Sequence, residues 1–451
     1  MGELLAVLFR TSVGSDLFDD RARLQGMLDF EAALARAEAR AGLFPAAAAE
    51  AIARRCRTEL FDMPDLAERT AQAGNPAIPT IAALTRLVSA DDPAAARYVH
   101  WGATSQDAID TGFVLQVRRF LELVQSDLER LSAGLAKVAE KHRTTLLVGR
   151  TWLQQAAPTS LGFKAAGYLD ATERHVERLD EMRSRALVLQ FGGAVGTLSA
   201  LGPRALEVAQ ALADELHLPL PEISWHSHRD RIGELSAFLG LLLGTLGKVA
   251  RDLSLLMQTE VAEAFEPAGE ARGGSSTMPQ KRNPVAAAAV LAAAARGPGL
   301  VATVLSAMVQ EHERGLGGWH AEWETVPELC VLTLGALRHI AQTIEGLEVD
   351  AGRMRANLDA AAGQVFAEAA AMALAARIGK PQAYEIVERA SRTARESGKH
   401  LREALEEDAT AAKQLSARDL DAIFEPANSL ATAAAFVDRV LARRRRRLEA
   451  P

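Results

Sequence analysis

From Val117 to Val138 apolar residues recur at Leu121, Val124, Leu128, Leu131 and Leu135, and the alternating steps of four and three draw one unbroken stripe down a helix. A helix over about 112–142 is about 45 Å long at ~1.5 Å per residue. Comparable patterns occupy 157–190, 232–264, 285–312 and 327–347, and no run of alternating residues between them reads as a strand. The spacing predicts an all-α fold whose centre is a bundle of five long helices. The 232–264 segment is apolar on more than one face, through Leu235, Phe238, Leu239, Leu241, Leu242, Leu243, Leu246 and Val249. A lone bundle leaves part of that surface wet, so burial against further copies, and hence an oligomer, is expected.

Breaks on either side of the long helices set the domain limits. Residues 1–98 mix Ala-rich helices with "LFP", "DMPD" and "GNPAIP"; residues 348–451 resume with shorter helices divided near "GKPQ" and "FEPANS". Three helical domains follow: 1–98, 99–347 and 348–451. A net charge of −7 offers no overall cationic field for nucleic acid. The Arg run 443–447 reads as a solvated last helical turn, where cations favour the negative helix end. Cys56 and Cys330 fit neither a metal spacing nor a disulfide framework, which points to a reducing cytoplasm. The start "MGELLAVLFR" lacks the basic flank of a secretion signal. The most apolar run, "LSAFLGLLLGTLG" at 235–247, is shorter than the roughly 18 residues of a bilayer span and is expected to be a buried helix centre rather than a membrane contact.

Four polar islands lie where long helices begin: "HWGATSQDAIDT" (100–111), "GRTWLQQAAPTS" (149–160), "SWHSHRDR" (224–231) and "GGSSTMPQKRNP" (273–284). Helix starts expose unpaired N–H groups and the positive end of the dipole, which favour carboxylates. Thr104, Ser105, Asp107, Thr159 and Ser160 also read as caps alone. In the fourth island, capping accounts for Asn283 and Pro284. It leaves unexplained Gly273 and Gly274, which give backbone freedom, the hydroxyls of Ser275 and Ser276, and the charges of Lys281 and Arg282. A glycine-hinged loop that closes a serine over an anionic substrate accounts for all of them. The Gly-x-x-x-x-Gly-Lys-Ser/Thr spacing of a phosphate loop is absent.

"GGSSTMPQKRNP" resembles the signature of the fumarase and aspartase superfamily, and "GATSQDAIDT" and "GRTWLQQAAP" are similar to its two other shared regions, in the same order. The resemblance covers essentially the whole chain. It implies a three-domain, all-helical homotetramer whose active sites combine residues from different subunits, with no metal and no cofactor. These enzymes move a proton at a carbon next to a carboxylate, through an enediolate that needs electrostatic support. By resemblance Ser275 is the proton-transfer residue, while Lys281 and Asn283 bind and stabilise carboxylates. His100, Thr104, Ser105, Thr151, Trp152, Gln155, Ser276 and Met278 are the implied substrate contacts. A serine is a weak base, so its alkoxide needs cationic and N–H donors, and Lys281 with the following helix start is the expected source.

Where many members read Gly-Arg-Thr-His, this chain has Trp152. An amine or hydroxide leaves poorly without an acid, whose loss costs on the order of 10² to 10⁴ in rate. A carboxylate needs no such proton, and expelling one from the same molecule opens a lactone. Trp152 therefore fits the lactone-closing branch of the superfamily, which works in aromatic breakdown, and "SWHSHRDRIGE" and "QEHERGLGGWHAEWETVPEL" (310–329) resemble that branch as well. The alternative is a C–N lyase of the adenylosuccinate or argininosuccinate type. A tricarboxylate substrate calls for cations, and Arg150, Arg229, Arg231 and Arg282 are the candidates beside Lys281, with Arg314 a further one. His142 could replace the missing acid, though a histidine ending a helix is ordinary. His226 and His228 lack a third ligand at a metal spacing. All five Trp (101, 152, 225, 319 and 323) fall in these stretches, as site wall or as packing at helix junctions.

Overall fold

The structure, a computed structural model, describes residues 3–269 and 273–449. Helices make up 72% of it and strands 4%, which establishes the all-α class. Six helices position the site: α1 (Asp20–Arg40), α2 (Ser105–Lys141), α3 (Leu161–Ala186), α4 (Asp230–Leu256), α5 (Val285–Ala307) and α6 (Gly318–Glu345). The apolar stripe that announced α2 is buried along its length, with Leu121, Val124, Leu128 and Leu135 all at 0% exposure. The chain forms two compact units, Met1–Asp127, His175–Gly247 and Ala289–Arg338 in one, and Leu128–Arg174, Lys248–Ala288 and His339–Pro451 in the other. The division cuts through the long helices rather than between them.

In the first unit, glycines let helices approach closely. A Cβ on Gly26 of α1 would meet the carbonyl oxygen of Gly112 on α2 at 2.7 Å. On α4, Gly233, Gly240 and Gly247 recur every seventh residue and face Met308, Val301 and Ala294 of the chain through α5, where a Cβ would lie 2.6, 2.9 and 2.8 Å from the nearest atom. Residue numbers rise along one helix as they fall along the other, so α4 and α5 pack antiparallel on this stripe of small residues.

Several expectations are corrected. The island at 149–160 is mostly strand: β1 (Leu146–Thr151) and β2 (Gln154–Ser160) form an antiparallel hairpin, and only its last residue marks a helix start, Ser160 Oγ accepting from the Phe163 N–H at 3.1 Å before α3 begins at Leu161. Its register shifts between Val148 and Arg150, at Gly149, where a Cβ would press on the Ala157 carbonyl at 2.8 Å; this is a bulge. The helix expected to 264 stops at Leu256, which frees Glu263 and Glu266 for the roles described below. The last long helix begins at Gly318, not at Pro327. Proline inside a helix leaves the carbonyl four residues back without its donor, and here that carbonyl, of Trp323, accepts from Arg23 Nη2 at 2.7 Å. The Arg run is not merely solvated: Arg443 pairs with Asp170, Arg444 with Ser132, and Arg447 with both Glu129 and Glu173. Finally, α4 and α5 are each long and apolar enough to cross a membrane by length and composition, because an average over a span tolerates the Gly, Ser and Lys residues that interrupt a continuous apolar run.

Candidate active site

The expected site residues fall into two groups, one in each unit. In the first unit the centre is Asp107, fully buried in the first turn of α2. Its carboxylate accepts from the N–H groups of Thr104 (3.0 Å), Gly192 (3.0 Å) and Gly193 (2.9 Å) and lies 2.7 Å from His226 Nε2. One charge thus fixes the helix start that carries Thr104 and Ser105, the 190s loop and the island at 224–231. Thr104 and Ser105 are half-buried above it. His100 sits in a left-handed backbone conformation, φ +57°, with Nδ1 2.6 Å from Glu31 Oε1. Burial works against a charged ring, but the charge and hydrogen bond of Glu31, with Asp107 beyond, outweigh it and hold the His100 pKa above its ordinary value.

Two of the arginines expected to meet substrate are engaged elsewhere in this unit. Arg229, 3% exposed, binds Asp110 at 2.7 and 3.2 Å and Glu322 at 3.0 and 2.5 Å, lies 4.9 Å over the Trp225 ring, and shares Asp110 with Trp319 Nε1 at 3.0 Å. It is the middle of a buried ion triad and has no charge left for a ligand. Arg231 donates to the Arg185 carbonyl near the end of α3, a helix-closing contact. The Arg229 assignment is corrected. Arg314 joins the Gln106 side chain (3.2 Å) to the Ala194 carbonyl (3.0 Å). Trp225 and Trp319 are buried packing, whereas Trp101 is 46% and Trp152 97% exposed.

In the second unit, Arg150 grips the buried Glu263 through two bonds of 2.8 and 2.7 Å, and Asn357 Nδ2 reaches the same carboxylate at 2.8 Å. Gln155 donates to the Asn357 carbonyl at 3.3 Å. The pair clamps the hairpin, so Arg150 is a positioning cation rather than the substrate cation expected. At the hairpin tip Trp152 and Leu153 both have positive φ, +52° and +62°, and stand 97% and 76% exposed, beside an exposed Thr151. His142, just past α2, lies 3.1 Å from the Thr145 hydroxyl, and burial and then Lys141 lower its pKa.

The 273–284 loop is closed at its neck. Asn283 N–H donates to the Gly273 carbonyl at 2.8 Å; Gly273 has φ +69°, and a Cβ there would lie 2.5 Å from the Asn283 oxygen, so only glycine fits. Asn283 Nδ2 reaches the Gly274 carbonyl at 3.3 Å. Inside the loop Ser275 Oγ accepts from Met278 N–H at 3.1 Å and Thr277 N–H at 3.4 Å. The helix start does not supply these donors: the first N–H groups of α5, on Ala286 and Ala287, are taken by the buried Glu266 carboxylate at 3.1 and 2.8 Å. Arg282 is likewise bound, to both oxygens of Glu348 at 2.8 and 2.9 Å and to the Glu266 carbonyl, and with the Ala268 N–H it depresses Glu348 to about 2. Lys281 is exposed and, among the described residues, has no ion-pair partner. Ser276 and Met278 are exposed as well, and Ser275 and Asn283 half-buried.

Glu31, Glu263 and Glu266 were not legible as site-building groups. Glu31 reads as one carboxylate on a helix, Glu263 as a position of a helix that in fact ends earlier, and Glu266 as a residue just past that helix.

Residues 10–299 match the profile of a lyase family, and residues 363–440 that of the adenylosuccinate lyase C-terminus. The chain is 57% identical over 440 residues, 98% of it and 96% of the relative, to a 3-carboxy-cis,cis-muconate cycloisomerase of Pseudomonas aeruginosa. It is 52% identical to one of Bradyrhizobium diazoefficiens over 98% of each chain. A crystal structure of the 3-carboxy-cis,cis-muconate lactonizing enzyme of Pseudomonas putida superposes with a TM-score of 0.93 at 51% identity, over 99% of both chains.

Proposed function

The chain belongs to the fumarase and aspartase superfamily of lyases, and from that premise we infer that it is a cycloisomerase interconverting 3-carboxy-cis,cis-muconate and 4-carboxymuconolactone, in the protocatechuate branch of aromatic catabolism. A substrate carboxylate oxygen adds to the ring-closing carbon. The electron pair of the double bond moves onto the neighbouring carboxylate as an enediolate, and Ser275 Oγ–H delivers a proton to the carbon between them; in reverse, the alkoxide removes that proton.

The observation that carries this chemistry is the seating of Ser275, whose oxygen already accepts two backbone N–H groups. Fixed donors aimed at an oxygen stabilise the anion it becomes without reorganisation. Lys281, which has no ion-pair partner among the described residues, supports that alkoxide and a substrate carboxylate, with Asn283 beside it. His100, Thr104, Ser105, Thr151 and Gln155 hold the remaining carboxylates, and Ser276 and Met278 close over them. Trp152 gives the ring-forming end an apolar wall and no acid, which suits a carboxylate as nucleophile and leaving group.

The active assembly is a homotetramer. Within one chain only 28% of the most apolar stretch of α5 is buried, and Leu241 of α4 is 56% exposed. Faces of that kind are covered by further copies, and the exposed loop and hairpin receive their walls from the same copies.

The test is the decay of the diene absorbance of 3-carboxy-cis,cis-muconate with purified protein, chelator present, beside Ser275→Ala. The wild type removes the signal and the variant does not, by a factor of at least about 10². Turnover of adenylosuccinate or argininosuccinate instead, with the diene untouched, overturns the lactone reading in favour of a C–N lyase.

A further inference from the structure

Glu31 lies on α1, outside every motif that carries the superfamily resemblance, and is 1% exposed. An isolated buried carboxylate is costly unless it is paired, and among the described residues the partner of this one is His100. Its second oxygen has none. His100 in turn holds a left-handed backbone, φ +57°, two residues before Gly102, φ +70°, where a Cβ would meet Leu201 at 2.5 Å. A non-glycine residue stays in such a conformation when its surroundings over-determine it, and the Glu31 contact is what grips this side chain.

We propose that Glu31 is a positioning residue for substrate binding: through its 2.6 Å contact with Nδ1 it fixes the orientation of His100, so that Nε2–H is the donor offered to a substrate carboxylate. This rests on the reading that His100 faces substrate. Glu31 touches no reacting atom and acts through the ring, as a carboxylate behind a ligating histidine does. The charged groups around the pair are Asp107 on α2, which also favours the cationic ring, and Glu38, two helical turns along α1 from Glu31. Burial and then Glu31 push Glu38 up to about 9, so it is neutral at working pH and leaves Glu31 as the near negative charge. Cys56, buried beside them, is pushed upward and stays a thiol. Glu31 thereby favours the cationic form of His100. Without Glu31, burial is opposed only by the more distant Asp107, and the ring takes up its proton less readily.

The experiment is KM and kcat against pH for wild type, Glu31→Gln, Glu31→Asp and His100→Gln. At pH 8 Glu31→Gln raises KM about tenfold with kcat within about threefold, and the difference narrows as the pH falls and the variant's ring also takes up its proton. Glu31→Asp restores most of the loss at pH 8. Adding His100→Gln to Glu31→Gln costs nothing further, as for two residues acting as a unit. A wild-type pH profile for Glu31→Gln, or a loss equal at every pH and matched by a lowered Tm, overturns the proposal. If Glu31→Gln does not fold, Glu31→Asp decides, because a KM raised as far at pH 6 as at pH 8 in a folded Asp variant is equally fatal. His100→Gln with unchanged KM refutes the substrate reading of His100 itself; His100→Gln with raised KM beside a silent Glu31→Gln refutes only the role of Glu31.

Discussion

Arg23 shows how one side chain compensates for a backbone defect. Pro327 interrupts α6, and the Trp323 carbonyl that an N–H at position 327 would have reached accepts from Arg23 instead. Arg23→Met leaves that carbonyl without a donor and lowers unfolding free energy by about 1–3 kcal/mol. With Pro327→Ala the alanine N–H takes over, and the loss shrinks. Urea unfolding of the four proteins checks this, and the same loss in both backgrounds would show the pairing to be incidental. At the loop, Glu348 has a pKa of about 2 against an ordinary 4.5, chiefly through its bonds to Arg282. A depressed carboxylate contributes stability that is complete above its unfolded pKa and lost as pH falls towards the folded one. Hydrogen exchange of 273–284 is therefore flat from pH 8 to pH 5 after correction for intrinsic rates, and rises only between about 4.5 and 2. A rise already at pH 6 would place the anchor elsewhere.

Among the elements, the hairpin was the least legible and is the most strained. Two-residue hairpin turns with positive φ at both positions favour Asn-Gly, and here the pair is Trp152-Leu153. The double substitution Trp152→Asn, Leu153→Gly relieves strain of about 1–3 kcal/mol; it raises Tm while lowering lactone formation at least tenfold. An unchanged Tm would mean that the turn is not strained. The same residues explain why the sequence did not announce the turn: the tip lacks the glycine or asparagine that marks one, and "LLVGRT" and "QQAAPTS" do not alternate apolar with polar. The long helices were legible because burial of a stripe such as Leu121 to Leu135 imposes the helical period on the sequence itself. Their ends were less so, since a proline read as a first-turn residue stands in the third turn of α6. At the site, Ser275, Lys281 and Asn283 stood out as polar residues between two helices. What Arg150, Arg229 and Arg282 bind did not, because an arginine held by a buried glutamate and one waiting for a substrate carboxylate are the same letter.

For the whole molecule, the open faces of α4 and α5 make the proposed link between assembly and activity testable. Leu241→Asp places a charge on an apolar face that is exposed within one chain and dissociates the assembly, with activity lost and helix content by circular dichroism kept. Sedimentation at micromolar concentration checks it, and a wild-type assembly that runs as an active monomer would refute the tetramer. The neck of the serine loop has a different kind of consequence. Because Gly273 and Asn283 are bonded to each other and Arg282 beside them is tied to Glu348 and the Glu266 carbonyl, the residues before Arg282 form a ring held at its neck, and the Glu266 cap on α5 is made outside that ring. A lineage can rewrite the letters inside such a ring, to suit another small acid, without renegotiating the helices that carry it.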